Sequence, residues 1–368
     1  FWEIRFGMED KMKKIGMLTS GGDCQALNAT MRGVAKGLFS SGEKIEIYGF
    51  LEGYRGLMHG NYRKMSEKDF SGILTRGGTI LGTSRQPFKQ MRVVEDGFDK
   101  VKAMKETYKK LGLDCLVVLG GNGSQKSANM LSEEGLHVIG LPKTIDNDIW
   151  GTDVTFGFQS AVEIATEAVD NIHTTAESHG RVFILELMGH KVGWVTLHAG
   201  IAGGADVILI PEIPYDIKVI CKALRDREKA GKSFSIIAVA EGAIDKDTAA
   251  LSKKERKEKI ANSKYPSAAY EIAAQITEKT GQEVRVTVPG HTQRGGSPCP
   301  YDRVLSSRLG AMGAKLILNE DYGKLVVMRN DDVTAIPLAE SAGKLKYVDP
   351  KDDIIESARM LGISFGDK

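Results

Sequence analysis

Four cysteines in 368 residues are few, and Cys24, Cys115, Cys221 and Cys299 stand far apart, with no CxxC or other metal-type spacing. That scarcity excludes a disulfide scaffold and a zinc module, and a chain of this length buries enough core without cross-links. Reduced thiols fit the cytoplasm. Long apolar runs are missing too. Leu116–Leu119 and Val207–Ile210 fall well short of the roughly 18 residues that span a bilayer, so no membrane segment is expected. Phe1–Gly7 lacks the apolar core of a signal peptide. Because the chain does not open on methionine, residues 1–11 are set aside as an upstream extension or an expression remnant. Nor is charge of one sign in excess. Fifty Lys and Arg against 48 Asp and Glu give a net charge of +2, which argues against a nucleic-acid binder. A hydrophobic fraction of 42% excludes disorder, and the length suggests two domains.

Glycine is what the sequence has in quantity. Its 42 residues are about 11% of the chain, against a usual ~7%. Many follow short aliphatic runs. Ile15–Leu18 leads into Thr19-Ser20-Gly21-Gly22-Asp23, Cys115–Leu119 into Gly120-Gly121-Asn122-Gly123-Ser124, and Val138–Leu141 into Pro142–Asp148. Val182–Glu186 before Met188-Gly189-His190 repeats the pattern, as does Ile236–Ala240 before Glu241-Gly242. Continuous aliphatic runs suit strands buried on both faces, as in parallel sheets covered by helices. Ala26–Phe39 and Val162–Ile172 carry apolar residues at helical spacing. The alternation predicts an α/β fold in two groups that divide near Phe158, with a cleft between them and ligands at the carboxyl ends of the strands.

The two glycine loops place backbone N–H groups where they can meet a phosphate, ahead of a helix N-terminus; each is equally a tight turn that binds nothing. Neither reads G-x-G-x-x-G or ends in Gly-Lys-Ser/Thr, which disfavours a dinucleotide fold or a P-loop. Thr144-Ile145-Asp146-Asn147-Asp148 sets two carboxylates two residues apart, able to face one side of an extended segment. They suit a base and a divalent cation, or else an Asp/Asn turn. Gly290–Pro298 gathers His291 and Arg294 among glycines, either a phosphate fork or a loop histidine beside a surface arginine.

Taken together and in this order, these segments resemble the 6-phosphofructokinase family from about Met12 to the C-terminal region. Arg76–Arg85, Met188-Gly189 and Ile201-Ala202-Gly203-Gly204 add to the likeness. The resemblance implies two Rossmann-like three-layer domains with mostly parallel sheets and an active-site cleft between them. The phosphate-donor domain would comprise 12–157 with about 293–343; the fructose 6-phosphate domain would comprise about 158–292 with 344–368. Members phosphorylate the 1-hydroxyl of fructose 6-phosphate from ATP or pyrophosphate with Mg²⁺. Asp146 falls on the family's base, Thr144 and Asp148 on residues that hold the transferring group and metal, and Arg85 on an arginine that neutralises donor phosphates. Gly22, Gly121, Asn122, Gly123, Ser124 and Lys143 fall on the donor side. Met188, Gly189, His190, Glu241, His291 and Arg294 fall on the sugar phosphate. Arg181 and Arg285 match arginines that reach a neighbouring subunit's site, implying a homo-oligomer, dimer or tetramer, with shared active sites.

Several positions depart from the family pattern. Many ATP users carry glycine where this chain has Lys143, and pyrophosphate users usually carry aspartate where it has Gly123. This mixture resembles the mixed-substrate branch; the room left by Gly123 favours ATP, with a pyrophosphate-dependent enzyme as the alternative. Asn122 replaces an acidic metal-side residue, leaving Mg²⁺ to Asp146, Asp148, Asp23 and the donor phosphates. His190 stands where arginine is common, and Gln25-Ala26 replaces Pro-Gly. The effector pocket of regulated members is only partly matched: Arg32 and Lys232 are present, whereas His173 and Ala230 occupy positions that are usually basic. Muted control by phosphorylated effectors is therefore expected. A non-catalytic sugar-phosphate-binding paralogue is the reading from another class, opposed by Asp146, Thr144 and Arg85. Lys253–Lys259 reads as a solvated helix face, since acids interrupt its bases, and Cys24 as a passive turn residue.

Overall fold

The computed structural model describes residues 12–368, so the segment set aside at 1–11 lies outside the described residues. Eleven strands run in chain order among the described residues: β1 (Lys13–Ser20), β2 (Ile45–Phe50), β3 (Tyr62–Met65), β4 (Cys115–Gly120), β5 (Val138–Pro142), β6 (Val182–Leu187), β7 (Val207–Leu209), β8 (Ser235–Ala240), β9 (Val284–Thr287), β10 (Lys324–Arg329) and β11 (Asp332–Pro337). The chain divides into two units. One runs up to Thr144 and takes in Ile149–Gly157 and Arg294–Leu345; the other comprises Ile145–Asp148, Phe158–Gln293 and Lys346–Lys368. Ile145–Asp148 thus groups with the second unit, where the Asp148 carbonyl accepts the Lys346 N–H at 2.9 Å.

The first unit holds a seven-stranded sheet in the order β11-β10-β5-β4-β1-β2-β3. Its centre is parallel, and the antiparallel partners β3 and β11 close its two edges. Every residue of β4 and β5 is buried, as expected of strands covered on both faces. The chain leaves β1 for β2 on one side, while β4 pairs on the other. Ligands of open α/β sheets gather at the carboxyl ends beside such a reversal. Ser20 of β1 pairs there with Gly120 of β4, so both glycine loops emerge side by side.

The second unit is a four-stranded parallel sheet, β7-β8-β6-β9. Its aliphatic runs fill two faces at once. Ile236 and Ala238 of β8 pack with Val169, Leu197 and Ile355 from helices on one side. Ile237 and Val239 pack with Ile220, Leu224, Ile272 and Ile276 from helices on the other. Period-two alternation between two apolar layers makes this unit three-layered.

The helix expected at Ala26–Phe39 spans Leu27–Phe39, and the one expected at Val162–Ile172 extends over Phe158–His179. Lys253–Ala261 is a helix with no buried residue, started by a Ser252–Glu255 capping box, and its charges are solvated except for Arg256, which turns in to donate to the Ala249 carbonyl. No helix among the described residues is long and apolar enough to cross a membrane.

Candidate functional site

At the carboxyl ends of β1 and β4, the first unit builds a cradle from backbone. Gly121 caps the helix Asn122–Glu133, whose first turn carries no acid, so its N-terminal N–H groups favour an anion. Ser124 Oγ donates to Ser20 Oγ at 3.0 Å and ties the two loops together. The glycines here differ in their reasons. A Cβ on Gly120 would lie 2.3 Å from the Ser124 Cβ, and one on Gly22 would lie 2.1 Å from a terminal nitrogen of Arg294, whereas one on Gly123 meets nothing within 4 Å. Packing demands Gly120, whereas the clash at Gly22 is with the flexible end of Arg294, which can move aside. Packing does not demand Gly123.

Arg76–Arg85 is lashed to the same loop. Asn28 donates to the carbonyls of Arg76 and Gly77 and accepts from the Ile80 N–H. Thr83 Oγ1 donates to the Gly21 carbonyl at 2.7 Å, and the Gly21 N–H to the Ser84 carbonyl at 3.1 Å. These bonds bring the exposed Arg85 next to the cradle. Lys143 is buried and its ammonium donates to the Gly22 carbonyl. Arg294 donates from Nη1 to the Asp23 carbonyl at 3.1 Å, while its buried Nε has no partner. The Asn122 side-chain amide donates to the Lys344 carbonyl, which leaves its oxygen as the group that could meet a metal. Thr144 is buried, its carbonyl accepting from Thr155 Oγ1 at 2.8 Å. Burial pushes the Cys24 thiol up to about 12, so it is inert.

Asp146 and Asp148 of the second unit are partly accessible, while Ile145, Asn147 and Ile149 beside them are buried. No cluster of three or more His, Cys, Asp or Glu side chains fit for a metal occurs among the described residues.

Leu187 of β6 pairs with Ala240 of β8, so Met188 and Glu241 emerge together. Glu241 Oε1 accepts the N–H groups of Gly189 at 3.3 Å and His190 at 2.7 Å, holding His190 at φ +52°. The Met188 N–H donates to Gln293 Oε1 at 3.2 Å. His291 is exposed on the turn Gly290–Arg294. Beside His190 and Glu241 opens a cavity of about 770 Å³ with Glu186, Lys264, Tyr265 and Ser267 in its wall.

A family profile described as Phosphofructokinase matches residues 14–317. The chain belongs to the phosphofructokinase family. It is 55% identical to the ATP-dependent 6-phosphofructokinase of Spirochaeta thermophila, over 96% of this chain and 98% of that one. To the ATP-dependent 6-phosphofructokinase 3 of Bacteroides thetaiotaomicron it is 47% identical, over 96% and 100%. Among solved structures, phosphofructokinase from Saccharomyces cerevisiae is similar at 32% identity and a TM-score of 0.76, over 90% of this chain and 45% of that one. A pyrophosphate-dependent phosphofructokinase from Nitrosospira multiformis shares the fold, with a TM-score of 0.80 at 19% identity over 96% and 92%.

The two arginines expected at a neighbouring subunit's sugar site, Arg181 and Arg285, stand away from Met188 of their own chain. Arg181 precedes β6 and Met188 follows it, about 23 Å apart along a strand rising ~3.3 Å per residue. Arg285 pairs with Phe183 in the ladder, away from the Met188 end. Both arginines are ion-paired to Glu283, Arg181 Nε at 2.7 Å from its Oε2, which holds the Glu283 carboxyl below its usual range. Sequence reasoning missed Gln293, Glu186 and the wall residues Lys264 and Tyr265. Glu186, an acid inside an otherwise apolar strand, carried a readable signal: its Oε2 accepts the Ala269 N–H at the start of the helix Ala268–Thr280. Lys264 and Tyr265 gave none.

Proposed function

We propose that the protein transfers the γ-phosphoryl group of ATP to the 1-hydroxyl of fructose 6-phosphate, giving fructose 1,6-bisphosphate and ADP, as a glycolytic enzyme of the cytoplasm. The observation that carries this reading is the near full-length identity of 55% with a named ATP-dependent 6-phosphofructokinase; the space left open by Gly123 supports a nucleotide donor. Asp146 takes the proton from the 1-hydroxyl as its oxygen attacks phosphorus. The cradle of Gly22, Gly121, Asn122, Gly123 and Ser124 seats the donor phosphates on backbone N–H groups, and Arg85 neutralises them. Asp146 and Asp148, with the Asn122 oxygen, would hold Mg²⁺, which supplies charge neutralisation when bound. Met188–His190, Glu241, His291 and Arg294 bind the sugar phosphate. Most of the rate gain in such transfer comes from positioning and charge stabilisation.

Arg181 and Arg285 complete the sugar-phosphate site of a neighbouring subunit, which makes the working form a homo-oligomer. Pyrophosphate use is a second reading, favoured by the buried ammonium of Lys143 on the Gly22 carbonyl. Initial rates of the purified protein with fructose 6-phosphate and either ATP or pyrophosphate decide between them. A higher kcat/KM for ATP is expected, and a higher value for pyrophosphate reverses the donor assignment.

A further inference from the structure

We infer that Gln293 is a positioning residue for the phosphoryl acceptor, a role that rests on reading Met188–His190 as the sugar-phosphate loop. Gln293 is fully buried, at 0% exposure, although His291 and Thr292 before it are exposed. Its side chain bonds in two directions. Oε1 accepts the Met188 N–H at 3.2 Å, and Nε2 donates to the Gly290 carbonyl at 3.0 Å. The amide offers a donor and an acceptor in one compact fork, which neither a thioether nor an ionised carboxylate does.

Met188 is the first residue beyond β6, where ladder pairing with β8 has ended. Its N–H and those of Gly189 and His190 are consecutive donors, and side chains hold all three: Gln293 the first, Glu241 the other two. The loop has reason to need holding, because His190 at φ +52° adopts a left-handed conformation that a residue with a side chain keeps only when its surroundings impose it. The same glutamine fixes the carbonyl that opens the turn bearing His291, a turn also closed by Thr292 Oγ1 on the Pro289 carbonyl at 2.8 Å. One side chain thus splices the segment carrying His291 to the segment carrying Met188 and His190. Glutamine at this position sets acceptor geometry without contacting the acceptor, which explains its burial between two ligand residues.

The test is a split between substrates. Gln293→Met keeps the length and removes both bonds, whereas Gln293→Glu keeps an acceptor for the Met188 N–H and loses the donor to Gly290. Initial rates are measured with fructose 6-phosphate varied at saturating ATP, and the reverse. Gln293→Met should raise the KM for fructose 6-phosphate about tenfold, equal to about 1.4 kcal/mol, and leave the KM for ATP within about twofold. Gln293→Glu should raise it about threefold, and it carries the comparison alone should the methionine variant not fold. Ile276→Val, on the buried face of the helix Ala268–Thr280, serves as a destabilised control and should move neither KM. A parallel rise in both KM values, no change in either, or the same acceptor effect in Ile276→Val would each overturn the inference. Absence of turnover in the unsubstituted protein with either donor would instead overturn the functional reading beneath it.

Discussion

Replacing Gly123 with aspartate should move stability and ATP use in opposite directions. Gly123 is the second residue of the helix Asn122–Glu133, and a Cβ there meets nothing within 4 Å. Loss of glycine from a helix is favourable by a few tenths of a kcal/mol. A carboxylate in a first turn that now has no acid adds about 0.3–1 kcal/mol through the helix field. The ligand-free protein should therefore hold its melting temperature or gain a degree or two. For the donor the sign reverses. A unit charge about 4 Å from a donor phosphate costs about 1 kcal/mol in water-like surroundings and about 4 kcal/mol at an effective dielectric near 20. That corresponds to a fall in kcat/KM for ATP of roughly fivefold to several hundredfold; pyrophosphate shares this charge repulsion but escapes any crowding of a nucleoside. Gly120→Ala is the contrast: its Cβ would sit 2.3 Å from the Ser124 Cβ, an overpacking worth about 1–3 kcal/mol of destabilisation. Thermal melts and initial rates with both donors read the two quantities separately. A melting temperature several degrees lower in Gly123→Asp, or unchanged ATP kinetics, would refute the reasoning.

Three further outcomes are expected. Asp146→Asn should lower kcat by at least about a hundredfold, the usual reach of a general base, while calorimetry still detects fructose 6-phosphate binding; near-normal turnover removes its role as base. Lys143→Gly should weaken pyrophosphate use more than ATP use, because the buried ammonium on the Gly22 carbonyl can counter donor charge; an unchanged ratio of the two kcat/KM values ends that idea. Burial raises the Glu212 carboxyl above its usual range, with Oε1 accepting the Gly193 and Val348 N–H groups and Oε2 buried without a partner. The folded state therefore binds this proton more tightly than the unfolded one. Its contribution is fullest below the ordinary carboxylate range and is lost as pH rises through the raised value. Glu212→Gln, which keeps the acceptor and removes the charge, should flatten that slope in pH-dependent melts, and an undiminished slope would count against it.

How much of this was legible in the sequence depended on how local the cause was. The central strands could be read because both faces are apolar: Cys115–Gly120 and Ser235–Ala240 are buried throughout. The strands β3 and β9 passed unnoticed because exposed or half-buried residues interrupt their pattern. The helix Phe158–His179 exceeded its apolar stretch at both ends, its last turns being polar, since a helix can run on beyond its buried stripe. The cradle could be read as glycines between strand and helix, but the reasons for those glycines could not. Gly120 answers to Ser124, four residues away, and Gly22 faces Arg294, far along the chain. Gln293 was hidden for the same reason, because its partner Met188 is remote in sequence. Family resemblance supplied Arg181 and Arg285 as arginines of a neighbouring subunit's site, and the register of β6 and β9 sets Arg285 away from the Met188 end of its own chain.

That separation along a single strand has a genetic consequence. If one subunit's Arg181 serves its neighbour's Asp146, a chain lacking the arginine and a chain lacking the aspartate are each inactive alone, but mixed assemblies of the two contain intact sites. In a random two-fold dimer about a quarter of the sites would be whole. Two dead alleles would then complement one another in the same cell, and enzyme concentration itself, by deciding how much of the protein is assembled, would become a determinant of specific activity.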